Sequence, residues 1–329
     1  MEWLERADFE CKLVVAGNHD LTLDAGFYEE FGKYFHHRNP QDPARCRDLL
    51  ARSASLTYLE HAGREVRLAS PAGPRTTFRV FGSPYTPRYG KWAFQYEAVR
   101  DVHGYGDAAA AAADALWADI PLATDVVVAH GPARLHRDES PRGAQGCEAL
   151  RRALWRVRPK LAVCGHIHDA RGAERVRWDL GDRHARYREL GVESWDDPAV
   201  GNDKNSFVDL TARGGNPIDN HDDDNQDDAE PNASQPETEG DGGGGISGGE
   251  GGGDARPGIG TRGLSGDPAS ARSDQAALAG RLGRRETCFV NCAIQSASYP
   301  HRGAGPRVLN KPIVVDLDLP VWGDDEGDA

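Results

Sequence analysis

The chain lacks any uncharged leader: Met1-Glu2-Trp3-Leu4-Glu5-Arg6 opens it with charge, so no secretory signal is expected. It has no apolar run approaching the ~18 residues of a membrane span, which argues against a membrane partner. Its six cysteines (Cys11, Cys46, Cys147, Cys164, Cys288, Cys292) form no Cys-x-x-Cys pair. They read as reduced thiols of an intracellular, cytoplasmic protein. No Ser-His-Asp constellation stands out. The one glycine-rich tract lacks the Lys-Ser/Thr of a phosphate-cradling loop.

An excess of basic charge is missing too. The formal charge is −13, but residues 196–254 hold 16 Asp/Glu against two Lys/Arg. The remainder carries 37 basic and 36 acidic residues. A near-neutral body gives no electrostatic reason to expect nucleic acid as a partner.

What is present is a set of three polar motifs, each closing a β-like apolar run. Gly17-Asn18-His19-Asp20 follows Lys12-Leu13-Val14-Val15-Ala16, and His130-Gly131-Pro132 follows Asp125-Val126-Val127-Val128-Ala129. Gly165-His166-Ile167-His168 follows Lys160-Leu161-Ala162-Val163-Cys164. Open α/β sheets place their chemistry at strand ends. If these ends converge, four histidines and one amide oxygen share a crevice, a donor mix suited to a transition metal. His166 and His168 stand two apart, so in extended chain both imidazoles point to one side. Gly17 is expected to let the backbone turn sharply after its strand.

Alternating patterns place helices at 25–35, 43–53, 106–118 and 146–157, with the end of another at 2–10. Strands are expected at 13–16, 57–59, 66–68, 77–81, 126–129, 161–164, 175–178, 287–293 and 313–317. This alternation predicts an α/β layered fold. Residues 196–274 lose all periodicity, and 240–253 contain ten glycines in fourteen residues. Such a stretch buries too little apolar surface to offset its ordering entropy, so disorder is expected. Because strands resume afterwards, the tract reads as an insertion within one domain. The expected organisation is a domain over 1–190, the insertion at 196–274, closing strands over 286–320 and an acidic tail at 321–329.

Together these motifs resemble the calcineurin-like metallophosphoesterases, and the finer pattern resembles their small metallophosphoesterase-domain branch. The finer pattern comprises Phe81-Gly82-Ser83-Pro84-Tyr85-Thr86-Pro87, Trp92-Ala93-Phe94-Gln95, Asp138, Gly146-Cys147, Val157-Arg158-Pro159-Lys160 and Val290-Asn291-Cys292-Ala293. The resemblance implies a β-sandwich flanked by helices, two divalent metal ions (Mn, Fe or Zn) and a phosphoester substrate. It implies that Asn18, His130 and His166 hold one metal and His168 the other. His19 would face the phosphate as a catalytic acid, with Asp20 orienting it. The family also carries an Asp-x-His and a Gly-Asp motif on two earlier strands. The 17 residues before Asn18 hold neither. Asp101-Val102-His103 and Asp219-Asn220-His221 share letters with those motifs but not their setting. The reading is therefore a metal-dependent phosphodiesterase or phosphomonoesterase represented by a fragment lacking its first two strands. The alternative is an inactive binding or scaffold module.

Of the remaining candidates, His136 and Asp138 read as a polar loop that could line the pocket. Tyr85 and Trp92 could wall a cleft. Arg151, Arg152, Arg156 and Arg158 read as a solvated basic helix face.

Overall fold

The computed structural model describes residues 2–97, 107–179, 187–220, 284–296 and 309–322. Positions 221–274 of the expected insertion, most of the acidic tail and Asp101-Val102-His103 lie outside the described residues.

Eleven strands carry the architecture: β1 (Leu13–Val14), β2 (Thr57–Tyr58), β3 (Ala62–Arg67), β4 (Thr77–Ser83), β5 (Val126–Ala129) and β6 (Leu161–Cys164). The others are β7 (Gly172–Trp178), β8 (Glu189–Ser194), β9 (Ser206–Leu210), β10 (Glu286–Asn291) and β11 (Ile313–Leu317). Five helices accompany them: α1 (Glu2–Arg6), α2 (Ala25–His36), α3 (Pro43–Ala51), α4 (Asp107–Trp117) and α5 (Glu148–Val157).

Seven strands form one mixed sheet in the order β8-β7-β10-β6-β5-β4-β3. Its centre is parallel, with β6 between β10 and β5, and β5 beside β4. Both faces of this centre are covered, as parallel sheets require. The period-2 alternation of a strand assigns the side chains. Phe81, Val127, Ala162, Phe289 and Val176 turn toward α4 and α5, against Trp117, Leu150 and Leu154. Val80, Val126 and Leu161 turn the other way, with Leu13 and Val15 of the β1 segment. Cys288 and Val290 meet Val208, Leu210 and Val315. Two separate parallel pairs, β1-β2 and β9-β11, thus make up the second layer. Among the described residues, no helix is long and apolar enough to cross a membrane.

Two expectations are corrected. Residues 196–220, taken as the start of the disordered tract, have a place in the fold. Ser206–Leu210 pairs with β11, and Asp197 accepts from Arg171 at 2.9 Å. Single-residue burial of Val208 and Leu210 supplies the apolar anchor that a composition average hides. The arginines of α5 are not a solvated face. Arg152 pairs with Asp114 at 2.5 Å, and Arg156 donates to the carbonyl of Ile120 at 2.7 Å. Arg158 is fully buried at the left-handed C-terminal cap of the helix. Arg151 is held by Glu189 at 2.8 Å and Glu148 at 3.0 Å.

His136 belongs to that ionic cluster and lines no pocket. Its ring stacks on Phe289 at 4.2 Å, and Nδ1 and Nε2 face Glu174 at 2.8 Å and Glu189 at 3.0 Å. Burial alone would lower its pKa, but the two carboxylates outweigh that and hold it above the ordinary value. A raised folded-state pKa stabilises the fold fully below the unfolded value of ~6.5, and the contribution is lost as pH rises through the folded value. Urea unfolding of the wild type and His136→Gln across the pH range should show this directly. The variant is expected to be about 3–5 kcal/mol less stable in acid, where one partner of a buried ionic cluster is lost. The difference should shrink as pH rises. A difference independent of pH would contradict the charged assignment.

Candidate metal centre

The C-terminal ends of the strands gather the three motifs. Backbone bonds extend the ladder past the strands: His130 donates to Ser83 at 2.9 Å, and Gly165 donates to His130 at 3.1 Å. From the second layer, Ala16 buries into a small core with Leu21, Tyr28 and Phe94, which fixes where the Gly17–Asp20 turn sits. Asp20 closes that turn. Its carboxylate accepts from the Gly17 amide at 2.7 Å, while its own amide donates to the Gly17 carbonyl at 3.0 Å.

The structure brings Asn18, His130 and His166 together. Asn18 is buried, and its Oδ1 lies 2.8 Å from Nε2 of His130. The rings of His130 and His166 stand edge to face, 4.7 Å apart. His168 and His19 are near enough to act on His130 electrostatically. His130 keeps a partly open edge, but crowding by protein atoms dominates. That loss of water, with smaller contributions from His166, His19 and His168, lowers its pKa to about 3. The imidazole is therefore neutral at physiological pH, the form that binds a metal.

His19 lies at the rim. Its ring packs on Trp92 at 4.2 Å, and Trp92 packs on Phe35 at 5.3 Å. Desolvation lowers the His19 pKa; the Asp20 charge opposes this and His168 adds to it. Tyr85 sits deeper, against Phe94 and His61. Of the two aromatic candidates, Trp92 is the one beside His19.

His166 is held in an uncommon conformation, with φ of +65°. The Ile167 amide donates to the Gly165 carbonyl at 2.7 Å, closing a three-residue turn around it. A non-glycine residue there costs about 1–3 kcal/mol and persists only where its surroundings over-determine it.

Imidazole nitrogens and one amide oxygen suit Mn, Fe or Zn, so the donor types fit a single divalent cation. The arrangement is closed up, with Asn18 and His130 in contact with each other. No three or more His, Cys, Asp or Glu among the described residues stand as an ion-holding group, so neither His168 nor any described carboxylate joins His130 and His166 in one. Asp219 and Asn220 serve elsewhere: they bind the Glu286 side chain and the backbone at the start of β10.

Sequence reasoning mistook the reason for Gly17. Its φ is outside the left-handed region, so the turn does not demand glycine. Proximity does: a Cβ there would lie 2.6 Å from Cε1 of His130.

The model of the calcineurin-like phosphoesterase family matches residues 2–170, which include Asn18, His19, Asp20, His130, His166 and His168. Metallophosphoesterase domain-containing protein 1 of human is 32% identical over 178 residues, covering 52% of this chain and 48% of that protein. The mouse protein of the same name gives the same figures. A probable rhamnogalacturonate lyase C of Emericella nidulans is 37% identical over 183 residues, covering 55% of this chain and 14% of that protein. The chain thus spans about half the length of the metallophosphoesterase relatives and a small part of the lyase.

The close approach at Gly17 gives a direct test. Gly17→Ala is expected to push His130 off Asn18 and to destabilise the fold by about 1–3 kcal/mol, as overpacking does. Thermal melting reads the second effect and the ¹⁵N spectrum of the histidine rings the first. An unshifted His130 signal would refute the packing described.

Proposed function

Because the chain belongs to the calcineurin-like phosphoesterase family, we propose that it serves metal-dependent hydrolysis of a phosphodiester or phosphomonoester. The observation that carries this reading is the meeting of Asn18, His130 and His166 at the ends of strands from both layers. In it, Asn18, His130, His166 and His168 hold the divalent ions of the family, Mn, Fe or Zn. Bound there, such ions would supply Lewis-acid stabilisation of phosphoryl oxygens.

The remaining work falls to the chain's own groups. His19 stands at the open rim and holds a proton for the leaving oxygen. Trp92 shields one face of its ring from water and so favours the neutral form after transfer. Because desolvation lowers the His19 pKa, its acid form gives way to the neutral form below the ordinary histidine value, so His19-dependent turnover should already be declining as pH rises toward that value. Asp20 holds the turn that presents Asn18 and His19. The substrate is a phosphoester; the near-neutral body favours neither nucleic acid nor membrane as partner. The six unpaired cysteines fit a reducing compartment such as the cytoplasm.

A second reading is favoured by one observation, the lack among the described residues of any group of three or more His, Cys, Asp or Glu that could hold an ion. It makes this chain an inactive module that binds a partner. Turnover of bis(p-nitrophenyl) phosphate with Mn²⁺ separates the two. The first reading expects Mn²⁺-dependent hydrolysis that falls about 10²–10⁴-fold in His19→Ala. It also expects hydrolysis to be abolished in His166→Ala. Mn²⁺ binding without turnover would favour the second reading, and turnover indifferent to both substitutions would defeat the first.

A further inference from the structure

Asn291 ends the central strand β10 and is fully buried. Its register partners are Cys164, the last residue of β6, and Gly172, the first of β7. The carboxamide spends every bond on backbone. Nδ2 donates to the Ile167 carbonyl at 2.9 Å and to the Arg137 carbonyl at 3.0 Å, and Oδ1 accepts from the Ala293 amide at 3.0 Å. Ile167 lies between His166 and His168, and its amide closes the strained turn around His166 by donating to the Gly165 carbonyl. Arg137 lies on the loop that follows His130, and it too has positive φ, +51°. One side chain therefore joins the two loops that carry three of the four histidines, three residues past the end of β6 in one and eight residues past the end of β5 in the other.

Few residues can do this. Two donors with a fixed spacing are needed to span two carbonyls, and a carboxylate of the same shape offers none. A hydroxyl can serve only one. Groups that orient ligands from behind typically change metal affinity by about 10–100-fold when removed.

We propose that Asn291 is a positioning residue: it sets the His166–His168 turn against the His130 loop and so fixes the spacing of the imidazoles. This rests on the metal-site reading for its purpose, but the positioning itself is testable without metal. The variant is Asn291→Asp, with Asn291→Ser, which retains one donor, as the milder substitute if the first does not fold. The control is Asn220→Asp, on the segment that bridges to Arg284 beside the opposite end of the same strand. Asn220 is also buried, and its Oδ1 accepts from the Arg285 and Glu286 amides at 2.7 Å each.

In the metal-free protein, the ¹⁵N ring signals of His166 and His168 should shift in the Asn291 variants and stay in place in Asn220→Asp. Amide exchange at Ile167 should quicken at least tenfold in the former only. Equal behaviour of the two sites would overturn the proposal, because it would reduce Asn291 to general support of β10. Titration with Co²⁺ alone then tests the purpose. An affinity about 10–100-fold weaker in Asn291→Asp, and nearly unchanged in Asn220→Asp, is expected. Co²⁺ affinity unchanged by Asn291→Asp, despite clear wild-type binding, would count against it. Failure of the wild type to bind Co²⁺ at all would defeat the metal-site reading instead, with the ring signals still deciding the position.

Discussion

A parallel sheet covered on both faces leaves polar side chains only one place to gather, the strand ends. Here β4, β5, β6 and β10 run side by side, and their middles are filled mainly with Val, Ala, Leu, Phe and Cys that point alternately to the two faces. A histidine in those middles would lose its water with no partner to replace it. At the ends, loops diverge and water returns, so Ser83, His130, Gly165-His166 and Asn291 line one edge of the sheet. The β1 segment of the second layer adds Asn18 from across the sandwich. The location of the site thus follows from what the sheet must exclude.

Charged groups that do enter the interior are matched in place. Arg284 meets Asp125 at 2.6 Å under the start of β5, and Glu286 receives Arg175, Arg177 and the Asp219 amide. His136 is flanked by Glu174 and Glu189, and Arg151 shares the latter. Each tie joins segments far apart in sequence. They make the interior specific about which chain end meets which, since an unmatched alternative would strand a buried charge.

Much of this was legible from letters alone. The strands 126–129, 161–164 and 313–317 match what alternation and β-branched content predicted, because long apolar runs bounded by polar breaks leave little choice. The short β1 (Leu13–Val14), half the expected length, shows where local pattern yields to the geometry of its one partner strand. The motif histidines were visible because polar residues directly after such runs are unusual. The arginines of α5 were misread, since helical spacing cannot show that Asp114 and Glu189 wait opposite. Asn291 was visible as part of a motif, but its two carbonyl partners lie 124 and 154 residues away and leave no local trace. The need for glycine at position 17 is likewise a contact with residue 130, not a property of the turn.

The place of β10 has a consequence for biosynthesis. It sits between β6 and β7, yet 107 residues separate Trp178 from Glu286. At about 5–20 residues per second, a ribosome takes roughly 5–20 s to cover that distance. Throughout that interval the nascent chain presents two unpaired strand edges with their intended neighbour still unmade, an invitation to illicit pairing. Chaperone demand for this protein should therefore be concentrated in the late stage of its translation.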